Sequence, residues 1–181
     1  MITFSHVSKS FGSLSVLENF SLALEDGQQL CLIGSSGRGK STVLNLAAGL
    51  LLPDSGIVAR KSDAVSYVFQ EDRLLPWLTA QQNVSLFSDE EAAGHWLTRL
   101  GLGNFLRAYP EELSGGMARR VAIARGLAAP ADLYLFDEPF KGLDETTLFS
   151  AYEVIKEAIS GKTALFVSHN PAELSLPTVS L

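Results

Sequence analysis

Apolar residues change their spacing several times along the chain, and each change marks an element. Phe20, Leu22 and Leu24 alternate with Ser21, Ala23 and Glu25 ahead of an Asp26-Gly27 turn, the two-residue period of a strand with one buried face. The first 27 residues are therefore predicted to form short antiparallel strands. An unbroken apolar run, Leu30-Cys31-Leu32-Ile33, follows as a further strand. Beyond it Val43, Leu44, Leu46, Ala47 and Leu50 fall on the buried side of a predicted helix, and Pro53-Asp54-Ser55-Gly56 reads as a loop. Residues 64–69 give the next strand, which ends at Gln70.

After Gln70 the pattern turns helical. Leu74-Leu75-Pro76-Trp77 has no period that would bury all four side chains, so part of this stretch is expected at the surface, where an apolar patch marks an interaction site. Thr79 is placed to cap a helix. Asp89-Glu90-Glu91 opens a second one, with Ala93, Trp96, Leu97 and Leu100 at helical spacing and Gly101 as its stop. Trp96 reads as a core position and His95 as a surface one. Residues 70 to about 114 are read as a helical insertion within one domain spanning 1–181.

Ser114-Gly115-Gly116 begins a third helix, with Met117, Val121, Ala124 and Ala128 on one face and Arg119 and Arg120 on another. Ala129-Pro130 ends it. The apolar Leu133-Tyr134-Leu135-Phe136 is a strand that delivers Asp137 and Glu138. Asp144 caps a long helix with Leu148, Ala151, Tyr152, Ile155 and Ile159 inward, stopped by Gly161. Residues 163–168 form a last core strand, ending at His169. Strand–helix alternation of this kind predicts an α/β fold with a parallel sheet covered on both faces.

One stretch carries explicit chemistry. Gly34-Ser35-Ser36-Gly37-Arg38-Gly39-Lys40-Ser41 lies between the 30–33 strand and the helix that follows, matching G-x-x-x-x-G-K-S/T in the strand–loop–helix context the pattern requires. Glycines let the backbone curl so that successive N–H groups point at an anion. The helix start, with Thr42 in its first turn, adds the positive end of its dipole. Lys40 brings a full charge to the β- and γ-phosphates, and the Ser41 hydroxyl can ligate Mg²⁺. Asp137 follows a hydrophobic strand and suits the Mg²⁺ shell, while a carboxylate at Glu138 could polarise the attacking water. Taken alone, two adjacent acids at a strand end could equally be solvated loop carboxylates.

Composition narrows the field. With 46% apolar and 19% charged residues the chain is globular rather than disordered. The net charge of −6, from 14 basic and 20 acidic residues, argues against a broad electrostatic grip on nucleic acid or anionic lipid. The lone Cys31 fits buried packing in a reducing compartment. Its N-terminus lacks a signal pattern, and the apolar stretch from 46 to 52 is far short of the ~18 residues of a spanning helix. Any membrane role is expected to run through a partner.

The ordered set of motifs resembles the ATPase subunit of ABC transporters. The 34–41 loop looks like Walker A, Gln70 like the Q-loop glutamine, and Leu113-Ser114-Gly115-Gly116-Met117 like the signature motif. The 133–137 strand with Glu138 resembles Walker B plus the catalytic glutamate, Gly142-Leu143-Asp144 the D-loop, and His169 the switch histidine. The stretch from Val68 to Thr79 is similar to bacterial importers of the nitrate/sulfonate/taurine group. Met117 stands where the family more often has glutamine, and Asn170 where aspartate is frequent.

The resemblance implies a P-loop NTPase fold: a RecA-like, mostly parallel sheet, an N-terminal antiparallel β subdomain and a helical insertion. It implies ATP and Mg²⁺, with Ser41, Gln70 and Asp137 around the metal, Glu138 and His169 beside the water and γ-phosphate, and Lys40 on the phosphates. Residues 34–42 would hold the phosphates, and Ser114, Gly115 and Gly116 would grip the γ-phosphate of a second copy in a head-to-tail dimer. Phe11 would stack on adenine, the alternative being a strand-end core aromatic. The implied partners are two transmembrane permease subunits and, through them, a substrate-binding protein, with the chain on the cytoplasmic face of the membrane and no nucleic acid. The alternative is an ABC ATPase acting as a soluble mechanical adaptor in DNA repair, translation or cluster assembly. Twelve residues follow His169, room for one short helix and a strand over residues 178–181. No regulatory C-terminal domain is expected, and a switch with negligible turnover is the further alternative.

Overall fold

The computed structural model describes residues 1–35, 37–168 and 176–181. In chain order its elements are β1 (Ile2–Phe11), β2 (Leu14–Leu24), β3 (Gln29–Ile33), α1 (Lys40–Ala48), β4 (Ser55–Arg60), β5 (Val65–Val68), α2 (Ala80–Ser85), α3 (Glu90–Arg99), α4 (Gly115–Ala128), β6 (Leu133–Asp137), α5 (Glu145–Ala158), β7 (Thr163–Val167) and β8 (Thr178–Ser180). They divide into two compact units. The first holds Met1–Val65, Asp132–Asp137 and Gly161–Leu181, and the second holds Ser66–Ala131 and Glu138–Ser160.

The first unit contains an antiparallel sheet in the order β2-β1-β4 and, separately, parallel strands in the order β6-β7-β3-β8. Every residue of β6 and β7 is buried, which is why residues 133–136 and 164–167 run apolar without alternation, with Asp137 and Thr163 at the strand ends. Phe136 and Phe166 stack across these two strands with ring centroids 4.5 Å apart. Helix α1 packs against β4, β6 and β7, burying Val43, Leu44, Leu46 and Ala47. It stops at Gly49, whose N–H turns back to the carbonyls of Asn45 and Leu46. Leu50 therefore lies beyond the helix and is exposed, not on its buried side as the periodicity predicts. Ser55 and Gly56 are not loop either. They begin β4, a half-exposed strand whose pairing with β1 supplies the order that its local pattern does not show. The first two strands are 10 and 11 residues long rather than short.

In the second unit α2, α3 and α4 pack on one another and α4 also touches α5. Each helix begins on a side-chain cap: Thr79 accepts from the Gln82 N–H, Asp89 from Ala92, Ser114 from Met117 and Asp144 from Thr147. Ala93, Leu97 and Leu100 are buried as their spacing predicts, but Trp96 is only half-buried, with Arg99 over its ring. Asn83 is wholly buried. Its amide donates to the carbonyls of Leu75, Leu78 and Thr79, and its oxygen accepts from the Leu75 N–H at 2.8 Å. That network fixes the 75–79 turn, from which Trp77 projects with 69% of its surface exposed.

Candidate functional site

The 34–41 loop leaves the carboxyl end of β3 and enters α1. Gly37 and Gly39 have φ of +80° and +90°, angles that residues with a Cβ rarely take. Among the described helices longer than eight residues, α1 alone has no side-chain cap: its N-cap is Gly39, and its first turn carries no acidic residue. The N–H groups at that end are left to meet an anion, favoured further by the helix dipole. Lys40 is 6% exposed, and its ammonium donates to the carbonyls of Gly34 and Ser35 at 2.7 and 2.9 Å. A fixed positive charge thus lies under the loop. Ser41 and Thr42 are half-buried in the first turn of α1, while Ser35, Gly37 and Arg38 are exposed along the loop.

Asp137 ends β6 at the same edge of the parallel strands. Its register partner is Val167, which also pairs with Leu32 of β3, so Asp137 stands two strands across from the start of the loop and level with it. Its carboxylate is 3% exposed. Phe11 closes β1 with 48% of its surface exposed and Lys9 Nζ 5.7 Å from its ring centroid. It is not a core aromatic. Cys31, by contrast, is fully buried, and burial pushes its thiol up to about 11.

The second unit carries the other predicted residues. Gln70 is exposed just past β5. Glu138 has φ of +47°, and its largely buried carboxylate lies 3.8 Å from Lys141 Nζ. Ser114, Gly115 and Gly116 open α4, and Ser114 Oγ accepts the Met117 N–H at 3.3 Å. Ser36 and His169 lie outside the described residues.

One residue escaped the sequence reading. Arg119 is not on an outer face of α4 but 3% exposed. Its Nε donates to the Pro139 carbonyl at 2.8 Å and Nη2 to that of Glu138 at 2.9 Å. Nη1 reaches the Phe69 and Gln70 carbonyls at 2.6 and 3.3 Å and the Asp72 carboxylate at 3.2 Å. Arg125, two turns further along α4, donates to the carbonyls of Asp72 and Arg73. Burial pulls its guanidinium below the usual arginine value, opposed by the Asp72 charge. The signal was present in the sequence: Arg119 shares the i, i+3, i+4, i+7 stripe of Ala122, Ile123 and Gly126, all buried.

The first unit thus holds a glycine-led loop over a buried lysine, with a buried aspartate level with it across the sheet, and the second holds a serine-capped Gly-Gly helix start. The family model for ABC transporters matches residues 17–141, and the chain belongs to that family as an ATP-binding, ATP-hydrolysing subunit. It is 40% identical to the aliphatic sulfonates import ATP-binding protein SsuB 2 of Pseudomonas syringae pv. tomato over 91% of this chain and 74% of that one. Against the SsuB protein of Bacillus cereus it is 37% identical over 91% and 72%. Among solved structures it resembles the ATP-binding cassette MJ0796 in a dimeric, post-hydrolysis state bound to ADP and Pi. The TM-score is 0.91 at 29% identity, covering 100% of this chain and 94% of that one.

The residues present fit a nucleotide with its divalent cation. The uncapped start of α1 and the Lys40 ammonium suit a polyphosphate, and the Ser41 hydroxyl and Asp137 carboxylate are hard oxygen donors of the kind Mg²⁺ takes. Among the described residues no helix is long and apolar enough to cross a membrane.

Proposed function

We propose that the chain acts as one ATPase domain over residues 1–181, with its helical insertion at about 70–114, and drives a permease of the sulfonate-import kind. The observation that carries this reading is the glycine-led, uncapped start of α1 with the Lys40 ammonium lodged beneath it. The N–H groups of residues 34–42 hold the phosphates, Lys40 offsets their charge, and Phe11 offers an exposed ring to the adenine. Ser41, Gln70 and Asp137 would hold Mg²⁺, which when bound neutralises charge building on the phosphate oxygens. Glu138 takes the proton of the attacking water as its oxygen bonds the γ-phosphorus, and the bond to the β–γ bridging oxygen breaks to release ADP. His169 holds the water and γ-phosphate in line.

Ser114, Gly115 and Gly116 of a second copy complete the γ-phosphate site, so ATP closes a head-to-tail dimer and hydrolysis opens it. The dimeric state of the related MJ0796 cassette supports this arrangement. The exposed Trp77 turn is the surface offered to the permease, whose own partner is a substrate-binding protein, and the ATPase works from the cytoplasmic face. The test is a pair of variants of the purified chain. Glu138→Gln is expected to keep ATP binding, lose roughly a hundred- to ten-thousand-fold in turnover, and run as an ATP-held dimer on a sizing column. Lys40→Ala is expected to lose tight nucleotide binding. Near-normal turnover of Glu138→Gln removes that residue from the mechanism.

A further inference from the structure

Two segments that carry chemistry in the second unit, the chain after Gln70 and the chain after Glu138, meet one guanidinium. The carbonyls of Phe69, Gln70, Glu138 and Pro139 all accept from Arg119. Carbonyl oxygens converging on one buried spot repel each other unless a cation sits among them. An arginine supplies five donors in a rigid plane, so its orientation sets both segments at once, which a lysine's point charge could not do. The Asp72 carboxylate at 3.2 Å balances the buried charge and aims the plane.

Glu138 adds a second observation. Its φ of +47° is a conformation that a non-glycine residue leaves unless its surroundings hold it there. Its carbonyl is held by Arg119 Nη2 at 2.9 Å and also closes a turn with the Lys141 N–H at 3.2 Å. The Cα–Cβ direction of Glu138 follows from this backbone angle, and with it the aim of the carboxylate. We propose that Arg119 is the positioning residue of the hydrolytic step: through the backbone it aims the Glu138 carboxylate and couples it to the Gln70 segment. Arg119 also lies one turn inside the helix that Ser114 opens, so a push on that helix start reaches both segments through one side chain. The proposal rests on the reading of Glu138 as the base.

The experiment uses the full chain. Arg119→Lys keeps the charge and loses the planar fork. Its kcat is expected to fall ten- to a hundredfold, on the order of what a misplacement of about 1 Å produces, with KM for ATP within about threefold of the parent. Placed in a Glu138→Gln background and followed by single-turnover phosphate release, the same change is expected to have little further effect, because the carboxylate it aims is gone. Losses that multiply across the two backgrounds, or a change in KM with kcat intact, overturn the proposal. Asp72→Asn is the second variant, should the lysine protein not fold. It is expected to show a smaller kcat loss with KM held, and an unchanged kcat overturns the proposal. Glu138→Gln with near-normal turnover by itself strikes the base assignment instead, and does so before any Arg119 variant is read.

Discussion

Gly37 and Gly39 separate two ways in which the 34–41 loop depends on glycine. Both are left-handed, at φ +80° and +90°, but only one is crowded. A Cβ at Gly37 would meet nothing within 4 Å, whereas one at Gly39 would lie 2.6 Å from Val16 Cγ1, 3.2 Å from the Val16 carbonyl oxygen and 3.3 Å from Leu17 Cδ2. Gly37→Ala should therefore show backbone strain alone, about 1 kcal/mol after the stiffer unfolded chain is allowed for. Gly39→Ala adds an overlap that β-branched Val16 cannot swing away from, about 1–3 kcal/mol more. At roughly 2–4 °C per kcal/mol for a chain of this size, melting should fall by about 2–4 °C for Gly37→Ala and by about 4–16 °C for Gly39→Ala. Calorimetry of both proteins without nucleotide is the assay, with ATP affinity by titration alongside. Relief of the overlap moves the loop whose N–H groups are proposed to hold the phosphates, so Gly39→Ala should also lose the larger part of its ATP affinity. Equal losses of stability in the two variants would refute the crowding argument.

Three further outcomes are expected. Ser114→Arg should leave each monomer able to bind ATP through its own 34–41 loop yet abolish both dimerisation and hydrolysis on a sizing column and in turnover; loss of ATP binding by the monomer would refute the shared site. Trp77→Ala should melt within about 0.5 kcal/mol of the parent, since Asn83 rather than Trp77 holds the turn, while permease capture weakens by roughly thirtyfold or more, the scale of an aromatic anchor; unaltered capture would sink the docking reading. Cys31, raised by burial from 9.0 to about 11, should carry about a hundredfold less thiolate at pH 8 than an ordinary thiol and resist alkylation until the chain unfolds. Because the unfolded thiol ionises first, its contribution to stability holds below pH 9 and is lost between about pH 9 and 11, which a pH series of melts with Cys31→Ala as control would reveal.

Local chemistry made much of this protein legible in its sequence. The left-handed Gly37 and Gly39 and the glycine-capped start of α1 rest on backbone conformation, which neighbours in sequence determine. The caps at Thr79, Asp89, Ser114 and Asp144 were legible for the same reason, since each bonds an N–H three residues on. The runs at β3, β6 and β7 declared themselves because their buried stretches are apolar for three or four consecutive residues, polar ones standing only at the strand ends. Other features exist only through contacts distant in sequence. Strand β4 has too weak a pattern to declare itself and is ordered by pairing with β1, some fifty residues earlier. Leu50 fits the helical period, but the helix stops at Gly49 before reaching it. Arg119 carries the clearest lesson. An arginine in a helix reads as a solvated charge, because isolated burial of its guanidinium is prohibitive. Only the tertiary structure brings the carbonyls of residues 69, 70, 138 and 139 and the Asp72 carboxylate to one place, and that convergence is what makes its burial favourable.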